Sequence, residues 1–144
     1  MGVGKSTIGP ALASRLGRSF VDTDEEVERE AGRSIPEIFE REGEAGFRRR
    51  ERAAIELAAA RSAVVALGGG AIVQAGMADR LEAAGTVVWL DADPGTILAR
   101  IEDAGSRPLL AGLDAEGRKL RVEALLAERT PYYARASIRV DARA

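Results

Sequence analysis

An α/β fold built on a parallel sheet is what the sequence predicts, and three observations carry that expectation. Short extended runs alternate with helical segments along the chain, the order that yields parallel strands joined by crossover helices. A glycine-rich segment at the front leads directly into the first helix, as a phosphate-binding turn does. The chain has 144 residues, enough for one compact domain with a real core and little more.

The elements follow in order. Ser6 to about Leu16 reads as a helix, with Ile8, Leu12 and Leu16 on one face. Ser19 to Val21 is a short extended segment running into Asp22-Thr23-Asp24, and Glu25 to Glu30 is helical, closed by Gly32. Ser34-Ile35-Pro36-Glu37 is a strong helix start, with Ser as N-cap and Glu at the capping-box position. A second start near Gly43 opens a longer helix through Phe47, Ile55 and Leu57. Ala63 to Leu67 is a buried strand ending on Gly68-Gly69-Gly70. Met77 to Ala84 is a helix, Thr86 to Leu90 a strand, and Pro94 to about Glu102 a helix again. The stretch from about 103 to 117, rich in Gly and Asp and without a period, reads as a mobile loop. Arg118 to Glu128 returns to helix and Ala136 to Val140 forms a last strand. No repeat, low-complexity tract or linker divides the chain, so residues 1–144 are read as a single domain.

Composition narrows the chemistry. The 21 Lys and Arg nearly balance the 23 Asp and Glu, for a net charge of -2, which argues against nucleic acid as a partner. Cysteine and histidine are both absent. That removes thiolate nucleophiles, histidine-ligated zinc and serine–histidine triads, leaving Asp, Glu, Lys or Tyr for any general base. No apolar run is long enough for a membrane span, and the N-terminus has no secretory pattern. A cytoplasmic protein acting as a monomer away from membranes is the expectation.

Met1-Gly2-Val3-Gly4-Lys5-Ser6-Thr7 carries the G-K-[ST] end of a Walker A loop. Glycines let backbone N–H groups turn inward around phosphate oxygens, and the helix N-terminus adds its partial positive charge. Lys5 would bridge the terminal phosphates and the Ser6 hydroxyl would bind Mg²⁺. By residue frequencies G-x-G-K-S arises by chance at about 1 in 10⁵ positions, so a glycine-rich cap is a weak rival. The full pattern has a further Gly five positions before Gly4, which would lie ahead of Met1.

Asp22 and Asp24 sit two apart after a strand. Such a pair can hold Mg²⁺ through one carboxylate and orient a substrate hydroxyl with the other; a helix N-cap with an acidic first turn is the other reading. Arg48 lies in Phe47-Arg48-Arg49-Arg50-Glu51-Arg52, either as part of a solvated helix face or as a carboxylate clamp. Gly68-Gly69-Gly70 suits a backbone that a ligand approaches closely, or a plain turn.

Together with Arg107-Pro108-Leu109-Leu110 and Arg129-Thr130-Pro131-Tyr132-Tyr133, these motifs, in order and at similar spacing over essentially the whole chain, resemble shikimate kinase. That family belongs to the nucleoside-monophosphate-kinase-like P-loop group. The resemblance implies a three-layer α/β/α P-loop kinase fold with a central parallel sheet whose first strand is missing here, the chain also stopping short of the family's final helix. It implies transfer of the γ-phosphate of ATP to the 3-hydroxyl of shikimate on the route to chorismate and the aromatic amino acids. Gly2, Val3, Gly4, Lys5, Ser6 and Thr7 would cradle the ATP phosphates, with Arg100 against adenine and Arg107, in a lid at about 103–117, reaching the phosphates. Ser6 and Asp22 would hold Mg²⁺. Asp24, Arg48, Gly69 and Arg129 would hold shikimate, the two arginines sharing its carboxylate, with Lys5, Asp24 and Arg107 as the catalytic set. Two other readings stay open: a nucleotide-binding remnant without turnover, and a related kinase for another acceptor such as gluconate.

Overall fold

The computed structural model describes residues 3–101 and 107–142. Its elements are α1 (Lys5–Leu16), β1 (Ser19–Asp22), α2 (Thr23–Ala31), α3 (Ile35–Ala59), β2 (Ala63–Ala66), a 3₁₀ turn (Ala71–Val73), α4 (Met77–Ala84), β3 (Val88–Asp91), α5 (Pro94–Arg100), α6 (Ala115–Tyr133) and β4 (Ile138–Asp141). The expected alternation is present and every strand pairing is parallel. The strands pair as two ribbons, β1 with β2 and β3 with β4. The chain sorts into two compact units, Lys5–Ala71 and a second made of Met1–Gly4 with Ile72–Ala144.

In the first unit β1 and β2 run in register from Ser19 beside Ala63 to Asp22 beside Ala66. Helix α1 packs on both strands, through its small residues. Gly9 and Ala13 are its buried positions, while Ile8, Leu12 and Leu16 are 40%, 39% and 55% exposed. Gly9 lets Phe20 close in: a Cβ there would fall 2.3 Å from the ring's Cε1. Helices α2 and α3 pack together around Val27, Ile38 and Phe47, with Ile35, Phe39 and Ala54 against them. The Phe39 and Phe47 rings lie 4.9 Å apart. The second helix start near Gly43 is realised as a break within α3, where Gly43 takes φ 71 and ψ 179, a conformation open to glycine.

The second unit has its core in Ala92, Ile97, Leu110 and Val122, with Val3, Leu98, Ile101 and Leu126 packed against it. Helices α5 and α6 supply Ile97, Leu98, Val122 and Leu126 of that cluster and pack on each other. In the ribbon, Val88 pairs with Ile138 and Leu90 with Val140, so all four side chains share one face. Three of them, Val88, Ile138 and Val140, are 41%, 46% and 39% exposed. The opposite face carries Trp89, with the Tyr133 ring 5.9 Å away and the Arg139 guanidinium 4.4 Å from its centroid.

Helix α6 starts earlier than the predicted Arg118 and ends later than Glu128. Asp114 caps it by accepting from the Gly117 N–H at 2.7 Å, and the helix continues to Tyr133 with Pro131 inside it. The expected loop from about 103 to 117 is therefore shorter on its C-terminal side; residues 103–106 lie outside the described residues, as do Gly2 and Glu102.

Candidate active site

Lys5, at the first position of α1, donates from Nζ to the Leu67 carbonyl at 2.6 Å. Gly4 before it has φ 96, a conformation an L side chain rarely adopts, so the glycine of the motif has a backbone reason to be there. Ser6 and Thr7 are exposed on the first turn of α1. The end of β2 is held from a second side as well: the hydroxyl of fully buried Thr23 donates to the Ala66 carbonyl at 3.2 Å.

Asp22 is the last residue of β1 and Asp24 lies in the first turn of α2, so a strand end and a helix start separate the pair. Asp22 is the N-cap of α2, with Oδ1 accepting from the Asp24 N–H at 2.9 Å and the Glu25 N–H at 3.4 Å. The capping reading of Asp22 is thus realised. Both capping bonds fall on Oδ1, which leaves Oδ2 available as a donor to a cation. Asp24 is different. Its Oδ1 is buried and accepts no hydrogen bond among the described residues. Burial pushes the Asp24 carboxyl above its usual range; Lys5 opposes that, Asp22 adds to it, and Arg48 opposes it.

Arg48, on α3, donates from Nη1 to Glu51 Oε1 at 2.7 Å and from Nη2 to Glu44 Oε1 at 3.4 Å. Its guanidinium lies 5.2 Å from the Phe47 centroid. Glu51 is fully buried, so this is an inward-facing arginine and not part of a solvated stripe. Gly68, just past β2, lies against the same carboxylates: a Cβ on it would fall 2.7 Å from Glu51 Oε2 and 3.1 Å from Asp24 Oδ1. None of Gly68, Gly69 and Gly70 has positive φ, so a turn that demands glycine is not what put them there.

The unit Lys5–Ala71 thus brings together Lys5, Asp22, Asp24, Arg48 and the strand end at Gly68. Ser6, Thr7 and Gly69 lie in the same unit, and Val3, Gly4, Arg100, Arg107 and Arg129 belong to the second. Val3 packs in its core, Arg100 ends α5, and half-buried Arg107 accepts from the Leu110 N–H through its carbonyl. Arg129, on α6, is only 5% exposed, an unusual place for a guanidinium without a role.

The shikimate kinase family model matches residues 1–144. The chain belongs to the shikimate kinase family. A shikimate kinase of Gloeobacter violaceus is 50% identical over 144 residues, covering 99% of this chain and 79% of that protein. One from Symbiobacterium thermophilum is 49% identical over 140 residues, covering 95% and 79%. Among solved structures, shikimate kinase from Acinetobacter baumannii in complex with shikimate aligns with TM-score 0.91 at 41% identity, covering 99% of this chain and 82% of that one. Shikimate kinase from Aquifex aeolicus aligns with TM-score 0.83 at 34% identity and the same coverage. The P-loop kinase fold of the shikimate kinases is therefore the fold of this chain.

Within that family frame, three residues of the site escaped the sequence reading. Glu51 stood three places after Arg48, a spacing that pairs side chains on a helix; that was its one visible signal. Thr23 was hidden between the two aspartates, and Gly68 inside a run of three. Among the described residues no group of three or more carboxylates could hold a metal unaided. Ser6 and Asp22 offer only hard oxygen donors, which fits Mg²⁺ where nucleotide phosphates and water complete its shell. No helix among the described residues is long and apolar enough to cross a membrane.

Proposed function

We propose that this chain transfers the γ-phosphoryl group of ATP to the 3-hydroxyl of shikimate, giving shikimate 3-phosphate and ADP. The observation that carries this reading is the Asp24 carboxylate, buried with an unengaged oxygen in the field of Lys5 and Arg48. A hydroxyl donating to that oxygen would be aligned for attack, and its proton would pass to a carboxylate whose proton affinity is already raised. Phosphoryl transfer asks mainly for positioning and electrostatics, so a chain without His or Cys suffices.

Lys5 exchanges its Leu67 carbonyl for phosphate oxygens and holds charge there. The backbone amides of Gly2 through Thr7 cradle the same phosphates. Arg107 adds positive charge to the transferring group, and Arg100 lies with the adenine. Arg48, braced by Glu51, takes the substrate carboxylate through paired N–H donors, and Arg129 serves the same anion. Gly69 offers its backbone to the acid. Ser6 and Asp22 would hold Mg²⁺, which when bound draws charge off the β- and γ-phosphates.

ADP release by the purified chain with MgATP tests the reading, with shikimate, with gluconate and with no acceptor. Shikimate-dependent release is the expected result, and Lys5→Ala should lower it by on the order of 10²-fold or more. Equal release with gluconate would overturn the substrate, and nucleotide binding without any acceptor-dependent release would leave a binding role only.

A further inference from the structure

Three sets of contacts converge on the last residue of β2 and the two that follow. Thr23 holds the Ala66 carbonyl, Lys5 holds the Leu67 carbonyl, and the Asp24 and Glu51 carboxylates close on Gly68. The first two fix the peptide by hydrogen bonds. The third contact is defined by what Gly68 lacks. Its backbone is not in the left-handed region, so an alanine there would meet no conformational barrier. Its methyl would instead sit 2.7 Å from Glu51 Oε2, 3.1 Å from Asp24 Oδ1 and 3.7 Å from Asp24 Oδ2. The first distance is well inside contact between a carbon and an oxygen.

We propose that Gly68 is a positioning residue for the reaction: its bare Cα sets how far the Asp24 and Glu51 carboxylates advance toward the strand end, and through Glu51 it sets the Arg48 guanidinium. Glu51 has no exposed surface and its other oxygen is bound to Arg48 at 2.7 Å, so it cannot yield toward solvent. Any retreat it makes carries the Arg48 guanidinium with it. Asp24 is the second neighbour, and any shift of its Oδ1 displaces the unengaged oxygen that would meet the acceptor hydroxyl. One methyl therefore disturbs both the group that grips the acid and the group that aligns its hydroxyl, and the three atoms nearest to it all belong to those two carboxylates. This inference rests on the proposed function for its kinetic half and on geometry alone for the rest.

Steady-state kinetics of the full chain with shikimate and MgATP test it on wild type, Gly68→Ala, Glu51→Asp and the double variant. Gly68→Ala should lose about tenfold to a hundredfold in kcat/KM for shikimate, the scale of a small misplacement of reacting groups, with KM for ATP nearly unchanged. Glu51→Asp shortens the side chain by one methylene and opens the space the methyl needs, so the double variant should have a lower shikimate KM than Gly68→Ala alone. A merely structural lesion would move both KM values or neither, and a second lesion would only add to it. Wild-type-like shikimate kinetics in Gly68→Ala overturn the proposal, and so does a double variant no better than Gly68→Ala. Should Gly68→Ala not fold, the double variant decides: folded and shikimate-active upholds the proposal, unfolded or inactive overturns it. Absence of shikimate turnover in the wild type counts against the proposed function instead, and thermal melts then read the contact directly. A double variant melting above Gly68→Ala upholds it, and one melting at or below overturns it.

Discussion

Asp24 sits in a position whose burial disfavours its charged form. Its carboxyl is held above the ordinary range by burial first, with Asp22 adding to the effect and Lys5 and Arg48 opposing it. The folded chain therefore binds that proton more tightly than the unfolded chain does. Stability should fall as pH rises from the ordinary carboxylate pKa through the raised folded value, and above it the charge weighs fully against folding. Asp24→Asn removes that penalty. The variant should melt higher than wild type at neutral pH, the gap narrowing as the medium becomes acid enough to protonate Asp24 in the wild type. Its turnover should drop on the order of 10²- to 10⁴-fold. Melting curves at neutral and mildly acid pH, beside the turnover assay, check both halves; a variant that melts lower at neutral pH would show that the lost Lys5 attraction outweighs desolvation. The pair of aspartates where β1 ends was legible in the sequence. The distinction between Asp24 and Asp22 was not, because a strand ends and a helix begins between them, and the capping bonds that occupy Asp22 Oδ1 depend on that switch.

At the level of elements, α1 shows that the apolar stripe of a helix need not be the side that docks. Ile8, Leu12 and Leu16 have helical spacing, yet the strands are met by Gly9 and Ala13. Spacing identifies a stripe, whereas contact distance decides which side docks, and Phe20 leaves room only for a residue without a side chain. Gly9→Ala should therefore destabilise the chain by about 1–3 kcal/mol, as overpacking of a close contact does, although alanine is the better helix former. Denaturant unfolding of the variant measures this. A stability equal to or above wild type would mean that the Phe20 ring moves aside freely. Helix α6 fails in the other direction. Gly117 dilutes its period in the first turn, so the start at Ala115 is visible only through the Asp114 cap. Its true end lies beyond Pro131, where a rule of thumb would stop it. By contrast β2, marked by an apolar run ending in three glycines, and α4, whose predicted bounds match, were plain.

For the whole molecule, six motifs in order and at similar spacing were enough to reach the family. What they could not give was the full burial of the Glu51 that pairs with Arg48, the strand-end contact of Thr23, or the sorting of the chain into two compact units, all of which depend on packing between segments far apart in sequence. The uncovered apolar positions described above have a different kind of consequence. Ile8, Leu12 and Leu16 on one helix, and Val88, Ile138 and Val140 on one ribbon, leave oily ground exposed on a chain whose net charge is only -2. Like-charge repulsion between copies is then feeble, and salt weakens it further. Light scattering should show apparent mass rising with protein concentration and with added salt, and Leu16→Lys should suppress the rise; a flat profile for the wild type would show these surfaces to be harmless. Colloidal behaviour, set by bare leucine and valine more than by the chemistry at Asp24, would then decide how concentrated a solution of this protein can be made.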